Sequence, residues 1–419
     1  MKRRPISLAL GMLFASSTLL AANPFSSEME HGKKLQVWAK DKAYHHIESN
    51  PANRNIKLLE LNSDLVSSEH HVLELQLDGQ VIDLDLTNFT QSGSGSQIWK
   101  GDVRGKASEQ NDPLNSAILV RNGNKITGNV RVNGDLYSIR PLSNGGHAIM
   151  KVDESLMPQD HPKSFEQIAD RNEIRASKGK PGGNPPPDPG TEPDPGPTET
   201  IRVMVHYTPS AASASGDING LIDLAVAETN QGYSNSNVTI NLQLAGKYLV
   251  NYTESGSFST DLARYRNFDG VMDDIHTTRD QVSADIGILL INNSSSCGLA
   301  SAIGANQATA FANAHWDCAT GYYSFGHEIG HLQSARHDPK ADSSTAPYAY
   351  GHGYQYTGDS NDWRTVMAYN CGGRFGGCPR INYWSNPYKT YNGQAMGTVD
   401  KSHNSRVLNE TKTTIAGFR

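Results

Sequence analysis

The sequence predicts an α+β protein in two globular parts, the first β-rich and the second built on a mixed, partly parallel sheet carrying helices. Three observations carry this reading. Paired runs of alternating apolar residues recur between about residues 30 and 160, strand and helix periodicities alternate after residue 200, and a stretch rich in proline and glycine lies between. The 419 residues suffice for two or three domains at about 150 each. With 37% apolar and 19% charged residues, a wholly disordered or collagen-like chain is excluded. A formal net charge of −6 gives no basic footprint, so no nucleic-acid partner is expected.

Residues 1–22 open with Lys2, Arg3 and Arg4, continue through an apolar run from Ile6 to about Leu20 and end in Ala21 and Ala22. That is the tripartite form of an export signal, and it predicts secretion, extracellular or periplasmic. No later stretch is long enough to span a bilayer, so no stable membrane anchor is expected. Residues 23–177 form the β-rich part. There Leu73, Leu75 and Leu77 alternate before the Asp78-Gly79 turn, and Ile82, Leu84 and Leu86 alternate after it. Asn122-Gly123 and Asn133-Gly134 mark further hairpins, so the region reads as a β-meander. Residues 178–199 are a linker, because proline removes backbone donors and glycine removes restraint.

The last part, 200–419, begins with a strand at Ile201, Val203, Val205 and Tyr207, followed at helical spacing by Ile218, Leu221, Ile222, Ala225 and Val226. A second strand alternates at Ile240, Leu242 and Leu244, and a helix starts near Thr260. The unbroken apolar run Ile286–Ile291 reads as a strand buried on both faces. All four cysteines, Cys297, Cys318, Cys371 and Cys378, lie here. In an exported chain they are expected to form two disulfides. Of the three connectivities, local pairing of Cys297 with Cys318 and of Cys371 with Cys378 is preferred, because both short loops would brace loop-rich stretches.

A third helix begins near residue 320 and carries His327, Glu328 and His331 within FGHEIGHLQSARHD. Residues four apart on a helix share a face, so the two imidazoles project together and can hold one metal ion. Phe325, Ile329 and Leu332 recur at core-facing spacing, while Gly326 and Gly330 let the helix lie close to its neighbours. A third histidine, His337, follows six residues after His331.

The segment His327–His337 resembles the long zinc-binding motif of the metzincin metallopeptidases. Asp338 is similar to the reprolysin-like branch, Val366-Met367-Ala368-Tyr369 resembles the Met-turn, and HLQSARHD, MAYNC and CPRINYWSNP look most like bacterial peptidyl-Asp metalloendopeptidases. The resemblance covers roughly residues 200–419. It implies a twisted mixed five-stranded sheet with an active-site helix and a Met-turn, one catalytic Zn²⁺ held by His327, His331 and His337, and protein or peptide substrates. Structural Ca²⁺ is left open. One position departs from the family: Ser334 stands where Gly makes a turn of positive φ, at a cost on the order of 1–3 kcal/mol. The rival ligand, Glu410, lies near the C-terminus and is the weaker candidate.

Three neutral imidazoles would leave a fourth tetrahedral position for water, with Glu328 as general base. The resemblance implies that the Tyr369 phenol contacts the metal or the tetrahedral intermediate; the alternative is a packed core tyrosine. Met367 is read as the floor of the site and Asp338 as a hydrogen-bonding orienter. His315, His352 and His403 are read as ordinary histidines. If cleavage falls on the amino side of Asp, a cation must offset burial of that carboxylate, and Arg374 and Arg380 are the candidates. A broad-specificity protease remains the alternative, and a non-catalytic zinc-stabilised binding protein is disfavoured because structural zinc sites fill all four positions with protein groups. The meander at 23–177 is then expected to be a propeptide and inhibitor. Lacking cysteine, it must cover the metal with a carboxylate, an imidazole or steric bulk. Asp188 and Asp194 in the linker are candidate self-processing sites.

Overall fold

The computed structural model describes residues 25–108, 110, 112–165, 191–358, 362–371 and 377–419. The export signal, most of the linker, Asp188 and Arg374 lie outside the described residues.

In the N-terminal part, strands β1 (Ser26–Glu28), β2 (Asn53–Leu61), β3 (Val72–Leu77), β4 (Gln80–Gln91), β5 (Gln97–Val103), β6 (Ser116–Asn122), β7 (Lys125–Val132), β8 (Asp135–Pro141) and β9 (His147–Val152) form one antiparallel sheet. Its order is β1-β2-β9-β8-β7-β6-β5-β4-β3. From β3 to β9 each strand pairs with its successor, since short turns leave the chain no other neighbour. The turns at Asp78-Gly79 and Asn133-Gly134 use positive φ at all four residues, as tight hairpins require. The middle turn is shifted by one residue from the sequence reading: Asn122 pairs with Lys125 as the last rung of the ladder, so the turn is Gly123-Asn124.

Two helices, α1 (His31–Lys40) and α2 (Lys42–Ser49), escaped the sequence reading. Val37 is the one buried side chain of α1, too sparse a stripe to register as a period. Asp41 starts α2 by accepting from the Tyr44 amide at 3.0 Å. Both helices pack on Leu58, Ala148 and Met150.

The C-terminal part opens with β10 (Glu199–Tyr207), one residue inside the expected linker. It continues through α3 (Pro209–Ser215), α4 (Ile218–Asn235), β11 (Ile240–Leu249), α5 (Phe258–Arg266), α6 (Asp274–Gln281), β12 (Ile286–Ile291), β13 (Gly298–Ala300), β14 (Phe311–His315), α7 (Ser324–Leu332) and α8 (Asn404–Ala416). Five strands form a sheet in the order β11-β10-β12-β14-β13. The first four are mutually parallel and β13 is antiparallel to β14. Val203, Val205, Ile288 and Leu290 face a core shared with Leu221, Phe325 and Ile329. Met204, Leu289 and Ile291 face the opposite core with Phe258 and Tyr265. The sheet is thus apolar on both faces, which explains the unbroken run in β12.

The two parts meet along α4. Asn129 Nδ2 donates to Glu228 at 2.7 Å, Lys100 Nζ to Gln231 at 2.8 Å and Arg131 Nη2 to the Gly321 carbonyl at 2.9 Å. Burial pushes the Glu228 carboxyl up to about 7, against the pull of its bonds to Asn129 and the Gly321 amide.

Candidate metal centre

Helix α7 presents His327 and His331 from one face and is buried along its whole length. It can lie this deep because Gly330 carries no side chain: a Cβ there would stand 2.6 Å from the Trp384 ring and 2.9 Å from Met367 Sδ. Met367 therefore packs directly beneath the helix. The helix ends by bonding the Ser334 amide to the His331 carbonyl at 2.9 Å and the Ala335 amide to the Gly330 carbonyl at 2.9 Å. That pair of bonds is a Schellman cap, whose left-handed position Gly normally fills. Ser334 takes it at φ 76°. Gly304 adds a second bond to the His331 carbonyl at 2.8 Å, and Ala305 donates to the Leu332 carbonyl at 2.7 Å. With its C-terminal carbonyls satisfied, the chain turns sharply and delivers His337 to the same point.

Four imidazoles, not three, converge. His161, from the N-terminal part, places Nε2 3.1 Å from His327 Nε2, 3.1 Å from His331 Nε2 and 2.9 Å from His337 Nε2. His337 Nε2 lies 3.2 Å from that of His327 and 3.0 Å from that of His331. His327 Nδ1–H donates to the Val366 carbonyl at 2.9 Å, His331 Nδ1–H to the Ala335 carbonyl at 2.8 Å and His161 Nδ1–H to the Gly298 carbonyl at 3.0 Å. A carbonyl can only accept, so each of these rings carries its proton on Nδ1 and turns a bare Nε2 lone pair inward. Burial holds His161 down at about 4 and His327, His331 and His337 well below the usual imidazole range, with repulsion from a neighbouring imidazole second for the last three. Neutral nitrogens facing one another need a cation between them. Zinc–imidazole bonds of about 2.0–2.1 Å set tetrahedral edges of roughly 3.3 Å, close to the 2.9–3.2 Å found. The donor set therefore fits Zn²⁺. The sequence reading left the fourth position to water; in the full-length chain the His161 Nε2 lies against the other three nitrogens.

Glu328 lies beside this cluster, its Oε1 3.6 Å from His161 Nδ1. Its Oε2 is buried without a hydrogen-bond partner among the described residues. Burial, and then the Asp160 charge, raise its carboxyl well above the usual range. Room for that carboxylate comes from Gly298 at the start of β13, where any Cβ would collide with Glu328 Oε1.

The Tyr369 ring packs on His337 at 4.2 Å between centroids, and burial, with the Asp160 charge second, raises its phenol. Asp338 Oδ2 accepts from the Tyr369 amide at 3.0 Å, tying the loop of the third histidine to the Met-turn. His352, read as ordinary, donates from Nδ1 to the His337 carbonyl at 2.8 Å. Glu410 is elsewhere, bonded to Tyr350 and Arg406 at 2.7 and 2.8 Å. His315 and His403 do not join the cluster. The cysteines pair as Cys297–Cys318, beside β13, and Cys371–Cys378, after the Met-turn.

Arg380 is fully buried next to the cluster. Its Nη1 donates to the Tyr322 carbonyl at 2.9 Å, its Nη2 to the Ala368 carbonyl at 3.2 Å, and its guanidinium lies 4.3 Å from the Tyr322 ring centre. Nη2 also meets both carboxylate oxygens of Asp160 at 2.9 Å. Arg364 donates to the Ala368 carbonyl at 2.9 Å and lies 3.9 Å from Asp160. Burial raises the Asp160 carboxyl, but the two guanidiniums outweigh it and hold the group below its usual range.

Sequence reasoning did not find Asp160, His161 or Arg364. The available signal was an acid and an imidazole side by side in MPQDHPKSF, between two prolines just before the linker and outside any apolar period.

A helix and turn that gather imidazoles around a buried glutamate define a metallopeptidase. Residues 197–385 match the Reprolysin_5 family, described as Metallo-peptidase family M12. A "Peptidyl-Asp metalloendopeptidase" of Xanthomonas campestris pv. campestris is 47% identical over 88% of this chain and 87% of its own. One of Stenotrophomonas maltophilia is 47% identical over 97% and 94%. One of Pseudomonas fragi is 50% identical over 46% of this chain and 100% of its own. Among solved structures, metalloproteinase-II from Bacteroides fragilis aligns at TM-score 0.38 and 13% identity, covering 64% of this chain and 82% of that one. The chain belongs to the peptidyl-Asp metalloendopeptidase family of zinc metallopeptidases. Two disulfides suit an oxidising compartment. No helix among the described residues is long and apolar enough to cross a membrane.

Proposed function

We propose that the chain is an exported zinc endopeptidase, made as a precursor with an inhibitory N-terminal part, that cuts peptide bonds on the amino side of Asp. The observation that carries the chemistry is the convergence of His327, His331 and His337 on one point with the buried Glu328 carboxylate alongside. A zinc ion held there would polarise the scissile carbonyl and bring the pKa of a water near 7. Glu328 accepts the proton of the attacking water and carries it to the leaving amide nitrogen. The raised affinity of this carboxyl for a proton suits a group that must both take and release one. Tyr369, packed on His337, can turn its phenol toward the developing oxyanion. Asp338 keeps the Met-turn and the third ligand in register.

The Asp preference is supported by the buried cation Arg380, fixed by main-chain carbonyls and within 2.9 Å of a carboxylate. Arg374 lies outside the described residues. The N-terminal part from 23 to 177 is the inhibitory segment, removed by cleavage in or near the linker.

The test is hydrolysis of casein and of matched Asp, Glu and Asn peptides by processed enzyme, with and without chelator. Chelation should abolish all hydrolysis and zinc should restore it. The Glu328→Gln precursor should keep its metal and remain full length in isolation, and once cut in the linker by an added protease it should be at least about 10³-fold slower than the processed parent. Hydrolysis that persists in chelator, or in Glu328→Gln, would remove the proposal. Equal rates on the three peptides would remove the Asp preference alone.

A further inference from the structure

We propose that Asp160 and His161 form a substrate-like plug: the Asp160 carboxylate fills the pocket that reads the Asp of a substrate, and the His161 imidazole is a fourth ligand to the metal, standing where the attacking water must stand. The inference rests on the Asp-directed zinc peptidase reading above and extends it to the pocket residues and the mode of latency.

The segment is docked by main chain as well as side chain. The Cys297 amide donates to the Gln159 carbonyl at 2.8 Å and the Gly298 amide to the Asp160 carbonyl at 3.0 Å, so residues 159 and 160 lie against the start of the edge strand β13. From that position Asp160 reaches Arg380 and, at 3.9 Å, Arg364; among the described residues no other carboxylate lies within 4 Å of either guanidinium. Two buried cations facing one cleft require an anion, and a chain with no substrate must supply its own. The next residue turns the opposite way and puts Nε2 against the three zinc-site nitrogens. Phe165 stacks on the His161 ring at 4.2 Å and closes it from solvent.

The two halves solve a single problem. A propeptide that filled only the Asp pocket would be a substrate for the enzyme it covers. With an imidazole nitrogen in the water's place, Glu328 has no proton to take, and the docked segment is held without being cut. The pocket thereby gains Arg364 and Tyr322: Arg364 donates to the Tyr322 hydroxyl at 3.1 Å, and both guanidiniums lie over that ring.

The test uses the full-length chain in a Glu328→Gln background, which removes self-processing, loaded with Co²⁺ as a visible stand-in for zinc. His161→Ala should make the spectrum depend on pH as water replaces imidazole, and should speed loss of metal to a chelator by about tenfold or more. An unchanged cobalt spectrum and an unchanged rate of metal loss in His161→Ala overturn the fourth ligand. Asp160→Asn should keep the parental cobalt spectrum, which reports that the site is folded. In the catalytically competent chain it should convert to the shorter form about tenfold faster than the parent. Unchanged conversion overturns the pocket assignment. If the processed parent cuts no peptide, or cuts Asp and Asn peptides equally, the functional reading fails instead, and the spectra still decide the ligand.

Discussion

Replacing Arg380 by methionine removes the cation that meets both Asp160 oxygens at 2.9 Å, and with it the group assigned to a substrate's Asp. Hydrogen bonds to a charged partner contribute about 1.5–3 kcal/mol, and stranding one charge of a buried pair costs about 3–5 kcal/mol. Arg364, at 3.9 Å from the carboxylate, survives the change and retains part of the attraction, so the low end applies. A loss of about 3 kcal/mol is roughly a 10²-fold fall in kcat/KM on an Asp peptide. An Asn peptide loses one hydrogen bond from the charged guanidinium but no ion pair, about 1.5 kcal/mol or roughly tenfold. The ratio of Asp to Asn cleavage should therefore shrink by about tenfold, measured as kcat/KM on peptides that differ at that one residue. Arg380 also holds the Tyr322 and Ala368 carbonyls, so zinc content and a thermal melt must accompany the kinetics. Arg380→Lys supplies the control that keeps the charge but loses the planar fork; we expect an intermediate loss. Equal falls on the Asp and Asn peptides, with zinc intact, would refute the reasoning.

Three further outcomes follow from single features. Gly298→Ala pushes a methyl group into the Glu328 carboxylate; kcat should drop about 10²-fold with metal content unchanged, and activity within twofold of the parent would contradict the packing argument. Ser334→Gly relieves the left-handed backbone at φ 76° and should stabilise the chain by about 1 kcal/mol in urea unfolding after the added chain entropy is set against it; a loss of stability would mean the hydroxyl contributes more than the strain removes. Burial holds His147 at about 4 instead of 6.5, and its Nε2 accepts from the Ile126 amide at 3.0 Å. The neutral form belongs to the fold, so its stabilisation is complete above pH 6.5 and is lost as the pH falls toward 4, by about 3 kcal/mol in all. Urea unfolding of the Glu328→Gln chain from pH 7.5 to 4.5 should show that slope, and His147→Gln should flatten it.

What was legible in the sequence is what short range dictates. His327 and His331 share a helix face by spacing alone, and the turns at Asp78-Gly79 and Asn133-Gly134 mark their hairpins without knowledge of the rest of the chain. The run Ile286–Ile291 announces a strand that both cores claim. The helices α1 and α2 were missed because so few of their residues are buried. Asp160 and His161 were missed for another reason: 166 positions separate His161 from His327, and the contact exists only once the N-terminal sheet has docked on α4. No periodicity encodes such an encounter. Excluding a thiolate cover needed only the cysteine count, whereas the imidazole against the zinc-site nitrogens and the carboxylate against the arginines are visible only in the folded geometry. Ser334 shows the converse, a local departure that the surrounding cap absorbs.

Both guanidiniums are pinned by the Ala368 carbonyl, and one of them also by that of Tyr322, before any carboxylate is counted. On the proposed reading, departure of the N-terminal segment would thus leave the receptor for an acidic side chain already set. An incoming peptide would spend little of its affinity ordering those arms, and discrimination against uncharged residues would be fixed by the scaffold instead of being assembled anew at each encounter.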